Sequence, residues 1–220
     1  MEQITSRHNP LMAYIRKLNA SASFRREEGV FVGEGPKLLE EALRWRAEIP
    51  CLICAQGLES AAGSGQAQIR RQVAVPADLL SYLSDTRSPQ GVIFLCRMPE
   101  LRPPETLTPG RYLVLDGVQD PGNVGTIWRT ADALGADGLF LLEGCADPFA
   151  PKTVRATMGA CFRLRAWQIG LDALRPRLEH CGIPLYAAAL EGENRVVRVV
   201  DWRHSAAVIG SEGRGGSRAG

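Results

Sequence analysis

Four short apolar runs in the second half of the chain constrain its fold more than any other feature. Tyr112-Leu113-Val114-Leu115, Leu139-Phe140-Leu141-Leu142, Leu185 to Ala189 and Ala206 to Ile209 each run without an interposed polar residue. A strand with one face in water alternates apolar and polar side chains, whereas an unbroken apolar strand is buried on both faces. Helical patterns lie between the runs: Ile127, Ala131 and Leu134 recur at helical spacing up to Gly135, and a second helix is expected over Pro151 to Met158. This alternation predicts an α/β fold, a parallel sheet covered by helices. Ligands of such sheets bind in loops that follow the carboxyl ends of strands. Three loops qualify: Asp116 to Gly125, Leu190 to Asn194 and Gly210 to Gly216.

The first half reads as a separate small α/β domain over residues 1–98. Asn9 caps a helix that Pro10 opens, with Leu11, Ile15 and Leu18 at helical spacing. A strand over Val30-Phe31-Val32 stops at Gly33, and Gly35-Pro36 starts a helix carrying Leu38, Leu39, Ala42 and Leu43. Strands are expected at 50–55, 72–75 and Val92 to Cys96, with a helix from Pro76 through Leu79, Leu80 and Leu83. Residues 99–110 hold four prolines and one glycine without apolar periodicity, which predicts a linker. The second domain then spans 111–220.

Bulk properties exclude several classes. The formal net charge of +2 lacks the basic excess typical of nucleic-acid binders, and neither requires nor excludes RNA. No apolar run approaches the ~20 residues of a membrane span, and Met1 to His8 lacks the apolar core of a signal peptide. Cys51 and Cys54 form a CxxC inside an apolar run; no second CxxC completes a zinc site, so no metal is expected and these thiols read as buried small hydrophobes. A reducing cytoplasm fits such cysteine usage.

Three constellations can carry chemistry. In Asp116-Gly117-Val118-Gln119-Asp120-Pro121-Gly122-Asn123-Val124-Gly125 a strand ends and a helix begins near Asn123, with Arg129 about two turns in. A helix start suits an anion; a capped helix with a solvated arginine is the plain alternative. The spacing of Gly122 and Gly125 fails the dinucleotide pattern, and no Gly-Lys-Ser/Thr completes a phosphate loop, which disfavours a nucleotide-dependent enzyme. Ile209-Gly210-Ser211-Glu212-Gly213-Arg214-Gly215-Gly216 places a carboxylate in a glycine-rich loop. The glycines admit a close ligand; the carboxylate suits a ribose hydroxyl, a cation or an orienting role, and a flexible turn is equally open. Lys152 and Arg155, three apart on one helix, can meet phosphates or form a solvated basic face.

Taken together these segments resemble the SpoU-type RNA 2′-O-ribose methyltransferases of the knotted SPOUT superfamily. Asn123 to Ala131 is similar to the family's first motif, and Val208-Ile209-Gly210-Ser211-Glu212-Gly213 to its second. Ile4 to Pro10, Phe31-Val32-Gly33-Glu34-Gly35 and Ser88-Pro89-Gln90-Gly91 resemble marks of the family's N-terminal RNA-binding domain. The resemblance spans nearly the whole chain.

The resemblance implies a trefoil-knotted methyltransferase domain, usually a homodimer, that binds S-adenosylmethionine through backbone groups. Here those are Ala188, Ala189 and Leu190 at a strand end, and Gly210. It points to Arg129 as the catalytic residue, with Asn123 and Glu212 beside it, and to RNA, ribosomal before transfer RNA, as substrate. Arg7, His8, Arg25, Arg26 and Lys37 of the first domain, with Lys152 and Arg155, are the candidate phosphate contacts. The family also carries a third motif, an Ile-Pro-Met-like stretch and a Ser-Leu-Asn before a closing helix. The chain ends at Gly220 ahead of it, so the resemblance implies either a truncated or frameshifted form or a C-terminal segment beyond this sequence, and over these residues an incomplete knot, cofactor pocket and dimer contact. The competing expectation is a non-catalytic RNA-binding protein that keeps the fold as a scaffold.

Overall fold

The computed structural model describes residues 1–58, 69–187 and 202–210. These form two compact units, Met1–Pro99 with Phe149–Phe162, and Glu100–Pro148 with Arg163–Gly220.

The first unit is built on a mixed five-stranded sheet. Its strands are β1 (Glu2–Gln3), β2 (Val30–Glu34), β3 (Cys51–Ala55), β4 (Gln72–Val75) and β5 (Val92–Arg97), in the order β1-β4-β3-β5-β2. β1, β4 and β3 run parallel, and β5 runs antiparallel to both β3 and β2. Four helices join them: α1 (Pro10–Ala20), α2 (Ala22–Glu28), α3 (Pro36–Arg44) and α4 (Ala77–Leu83). The α1 start follows from local chemistry: the Asn9 side chain accepts from the Leu11 N–H at 2.9 Å, and Pro10 occupies the first turn, where no N–H is needed. Met12, Ile15 and Leu18 of α1 are buried against Val32, Ile53, Val73 and Leu80. Cys51 and Cys54 are buried on β3 as free thiols, as expected of small hydrophobes.

Two family marks of this unit turn out to be partners. The Glu34 carboxylate accepts from the hydroxyls of Ser84 and Thr86 and from the Asp85 N–H at 3.3 Å, which pins the turn leading to Ser88-Pro89-Gln90-Gly91. Gly35 has φ +100°, and a Cβ there would lie 2.9 Å from the Gln90 Oε1. The segment Phe149–Phe162, expected in the second domain, clusters with this unit. It carries α6 (Pro151–Thr157), which packs on β2, and the ring of Phe149 lies 4.7 Å from that of Phe31, with both buried.

The second unit has the fully parallel sheet that the apolar runs predict. Its strands are β6 (Arg111–Asp116), β7 (Gly138–Leu141), β8 (Ala166–Gln168), β9 (Leu185–Ala187) and β10 (Ser205–Gly210), in the order β8-β7-β6-β10-β9. Its helices are α5 (Pro121–Ala133) and α7 (Leu171–His180). The α5 stripe is shifted from expectation: Val124, Trp128 and Ala131 are buried, and Leu134 is 72% exposed at the helix end. The Trp128 indole N–H donates to the Leu164 carbonyl, so a bulky ring with a satisfied polar end takes the core position. Residues 101–107 are no free tether. Arg177 donates to the carbonyls of Pro103 and Pro104, Leu101 accepts from the Gln168 N–H, and Leu107 is buried.

Candidate functional site

Strand order brings the two motifs together. The chain leaves β6 in one direction to β7 and β8, and returns on the other side as β9 and β10. The order therefore reverses between β6 and β10, the switch point at which open parallel sheets form a crevice. The register there pairs Gly210 with Asp116, the last residues of their strands. The loop that opens the first motif and the loop that carries the second thus start side by side, though far apart in sequence.

The loop after β6 is held by its neighbour after β7. Gly117 takes φ +65°, which permits the sharp exit from the strand. The Ala146 N–H donates to the Val118 carbonyl at 2.9 Å, and the Leu142 N–H to the Leu115 carbonyl at 2.9 Å. The Cys145 thiol donates to the Leu115 carbonyl, and burial raises its pKa above the ordinary thiol range.

Helix α5 starts two residues before the expected Asn123. Its cap is Asp120, whose carboxylate accepts from the Asn123 N–H at 2.9 Å. The helix start already carries an anion of its own, which opposes a phosphate at that position and leaves phosphate recognition to side chains. Asn123, Thr126 and Arg129 are exposed and step around the outer half of α5, opposite Val124 and Trp128. With 3.6 residues per turn, Asn123 and Arg129 stand roughly 120° apart around the axis, so they border one polar face from its two sides.

Beneath the switch point lies a cavity of about 310 Å³. Asp116 of β6, Leu142, Leu178, Leu185, Ala187 and Val208 line it, with Arg175 and Glu179 of α7 at its polar side. Its walls are apolar, and its charged groups are the Asp116 and Glu179 carboxylates and the Arg175 guanidinium. That chemistry suits an adenosyl group, a flat ring with hydroxyls that donate and a sulfonium that is positive. Of the expected cofactor contacts, Gly210 is at the end of β10, next to this cavity's Asp116; Ala188, Ala189 and Leu190, and the expected catalytic partner Glu212, lie outside the described residues.

The candidate RNA contacts separate. Arg7, His8, Arg26, Lys37 and Lys152 are exposed. Arg155 is half-buried and paired with Asp85 at 3.0 Å. Arg25 is a correction: it is 3% exposed, and its guanidinium donates to the carbonyls of Leu18 and Asn19 at the end of α1. There it closes a helix terminus whose carbonyls have no partner within the helix, and it cannot reach a phosphate. Its place in the run Phe24-Arg25-Arg26 gives no sign of this, because burial depends on how α2 folds back on α1. Among the described residues no cluster of His, Cys, Asp and Glu could hold a metal, and no helix is long and apolar enough to cross a membrane.

Comparison with known proteins agrees with this geometry. Residues 110–219 match the SpoU rRNA Methylase family, and residues 9–93 match the MRM3-like substrate binding domain. The chain is 31% identical over 228 residues to the 23S rRNA (guanosine(2553)-2′-O)-methyltransferase RlmP of Bacillus subtilis, covering 98% of this chain and 84% of that protein. It is 31% identical to the human mitochondrial rRNA methyltransferase 3 over 152 residues, 66% of this chain and 36% of that one. The AdoMet-bound rRNA methyltransferase of Sinorhizobium meliloti superposes with a TM-score of 0.86 at 31% identity, over 97% of this chain and 82% of that one. AviRb of Streptomyces viridochromogenes, also with AdoMet, gives a TM-score of 0.83 at 26% identity, over 96% and 84%. With the strands that lead into both motifs paired at one switch point and a family match over residues 110–219, this chain belongs to the SpoU rRNA methylase family.

Proposed function

We propose that this chain methylates ribose 2′-hydroxyls of RNA, ribosomal RNA in particular, with S-adenosylmethionine as methyl donor. The observation that carries the reading is the pairing of Gly210 with Asp116, which starts both motif loops at one switch point beside an apolar cavity with carboxylates. The activity of the RlmP relative and the cofactor bound by the solved neighbours support it. Residues 1–98 serve as the RNA substrate-binding domain and 111–220 as the methyltransferase domain, joined by 99–110. A form that carries the family's third motif is a homodimer, as the family resemblance implies, and the protein works in the cytoplasm, where free thiols such as its six cysteines persist.

When bound, S-adenosylmethionine supplies an electrophilic methyl group on a sulfonium. Gly210 and the 188–190 stretch hold it through backbone groups. The chain's own task is then positioning: aligning two reactants supplies roughly 7–11 kcal/mol of a barrier. Arg129 clamps the phosphate beside the target ribose and, with that phosphate, receives the hydroxyl proton. An arginine alone is a poor base, with a pKa of about 12.5 or more. Glu212 orients Arg129 through a charge-assisted bond, and Asn123 borders the same polar face.

The test is methyl transfer to ribosomal RNA from labelled S-adenosylmethionine, with calorimetric titration of the cofactor in parallel. Arg129→Ala is expected to abolish transfer while cofactor affinity stays within about twofold. Retained turnover in that variant removes Arg129 from the reaction, and wild-type protein that binds RNA without binding the cofactor favours the non-catalytic scaffold over the enzyme.

A further inference from the structure

Two arginines of the first unit converge on one exposed tyrosine. The guanidinium carbon of Arg16 lies 4.5 Å from the centroid of the Tyr82 ring, and that of Arg7 lies 5.2 Å from the same centroid. Arg16 also donates to the Tyr82 hydroxyl. The three residues come from the approach to α1, from α1 itself and from α4. Nearby, the Asn19 side chain donates to the Leu83 carbonyl and ties the ends of α1 and α4 together at 2.9 Å. Among the described residues, Asp78 brings a carboxylate to this cluster, 3.3 Å from Arg7, with the Arg7 and Asp78 side chains 56% and 70% exposed.

Stability does not account for this arrangement. An ion pair this exposed contributes little, and cation–π contacts at exposed sites are modest. Against those gains stand the mutual repulsion of two like charges and the rotamer freedom that two long side chains give up. What the arrangement achieves is two guanidiniums held in advance, with forked donors and flat outer faces. A guanidinium fork recognises phosphate oxygens, and its plane offers a stacking surface to an unpaired base. Ordering the arginines before binding lowers the cost of ordering them on binding.

We propose that Arg7, Arg16 and Tyr82 form a phosphodiester-binding site for a single-stranded stretch of the RNA substrate, with Tyr82 as the shelf that holds the two cations. The site rests on the RNA reading above and gives it a location on the α1–α4 face. Asp78 competes with the RNA for Arg7.

The experiment is fluorescence-anisotropy binding of the full chain to a short single-stranded RNA at several salt concentrations. Each phosphate contact of a single strand contributes about 0.7 to the log–log salt slope. The double variant Arg7→Ala/Arg16→Ala is therefore expected to bind at least tenfold more weakly, with a slope smaller by about 1.4. Tyr82→Leu is expected to weaken binding severalfold while the slope holds, because both charges remain and only their order is lost. Asp78→Asn is expected to tighten binding, an outcome that a purely structural ion pair would not produce. All these residues are at the surface, and thermal melts of the variants should match the wild type. An unchanged slope in the double variant, or weaker binding by Asp78→Asn, overturns the site while leaving RNA binding in place. Wild-type protein without salt-dependent RNA binding overturns the site together with the RNA reading it rests on.

Discussion

Arg25 and Cys51 show how burial changes the meaning of a side chain. Arg25 stands beside the exposed Arg26, yet its guanidinium serves the last carbonyls of α1. Arg25→Ala should destabilise the chain by about 2–4 kcal/mol, since it orphans buried acceptors of a charged donor, and should leave the salt slope of RNA binding unchanged. Urea unfolding beside an RNA titration checks both halves; unaltered stability would return Arg25 to the surface. Cys51 is buried on β3, and burial pushes its thiol from 9.0 up to about 11. The folded state therefore holds the thiol proton more tightly than the unfolded chain. The stability this contributes is complete below pH 9 and is lost as pH rises from about 9 to about 11. A stability profile of the wild type against Cys51→Ala should differ in that window, with the variant falling less steeply.

At the scale of elements, the caps and apolar periods of α1, α3 and α4 were legible in the chain, because they depend on residues within one or two turns. Asn9 and Pro10 specify the α1 start, and Leu79, Leu80 and Leu83 specify the buried side of α4. The shorter elements were not legible. β1 is two exposed residues and exists through its pairing with β4, and α2 is seven residues without an apolar stripe. For α5 the period was right and the phase was wrong, since Trp128 outcompetes Ile127 and Leu134 for the core. Gly33 is an element-scale constraint of another kind. A Cβ there would meet the Phe94 ring at 2.2 Å. Gly33→Ala should cost about 1–3 kcal/mol as an overpacked core, visible as a lower melting temperature. Pairing it with Phe94→Leu, which frees space, should recover part of the loss.

For the whole molecule, the division into compact units does not follow the order of the chain. Phe149–Phe162 sits within the family match of the second half, yet it clusters with the first unit. Phe31 is covered there by Phe149 and stacks at 6.2 Å on Phe162. A fragment of residues 1–99 should therefore be less stable than the same unit in the full chain, and Phe149→Ala should destabilise that unit by about 3–5 kcal/mol. Hydrogen exchange of β2 amides reports this directly, and unchanged protection in the variant would sink the idea.

By itself, the sequence determined the parallel sheet, the starts of α1, α3, α4 and α6, and the two motifs, since strand burial, capping and glycine turns act over a few residues. It also determined which side chains are available to react. Tertiary structure alone decided that β10 lies between β6 and β9, so that Gly210 pairs with Asp116 and the motifs meet. It decided, too, that Arg25 is buried, that Arg7 and Arg16 share one ring, and that α6 packs with the first unit. Each of these depends on hydrogen bonds and packing between residues far apart in the chain, and no local pattern of apolar and polar residues encodes which distant partner a strand or helix will take.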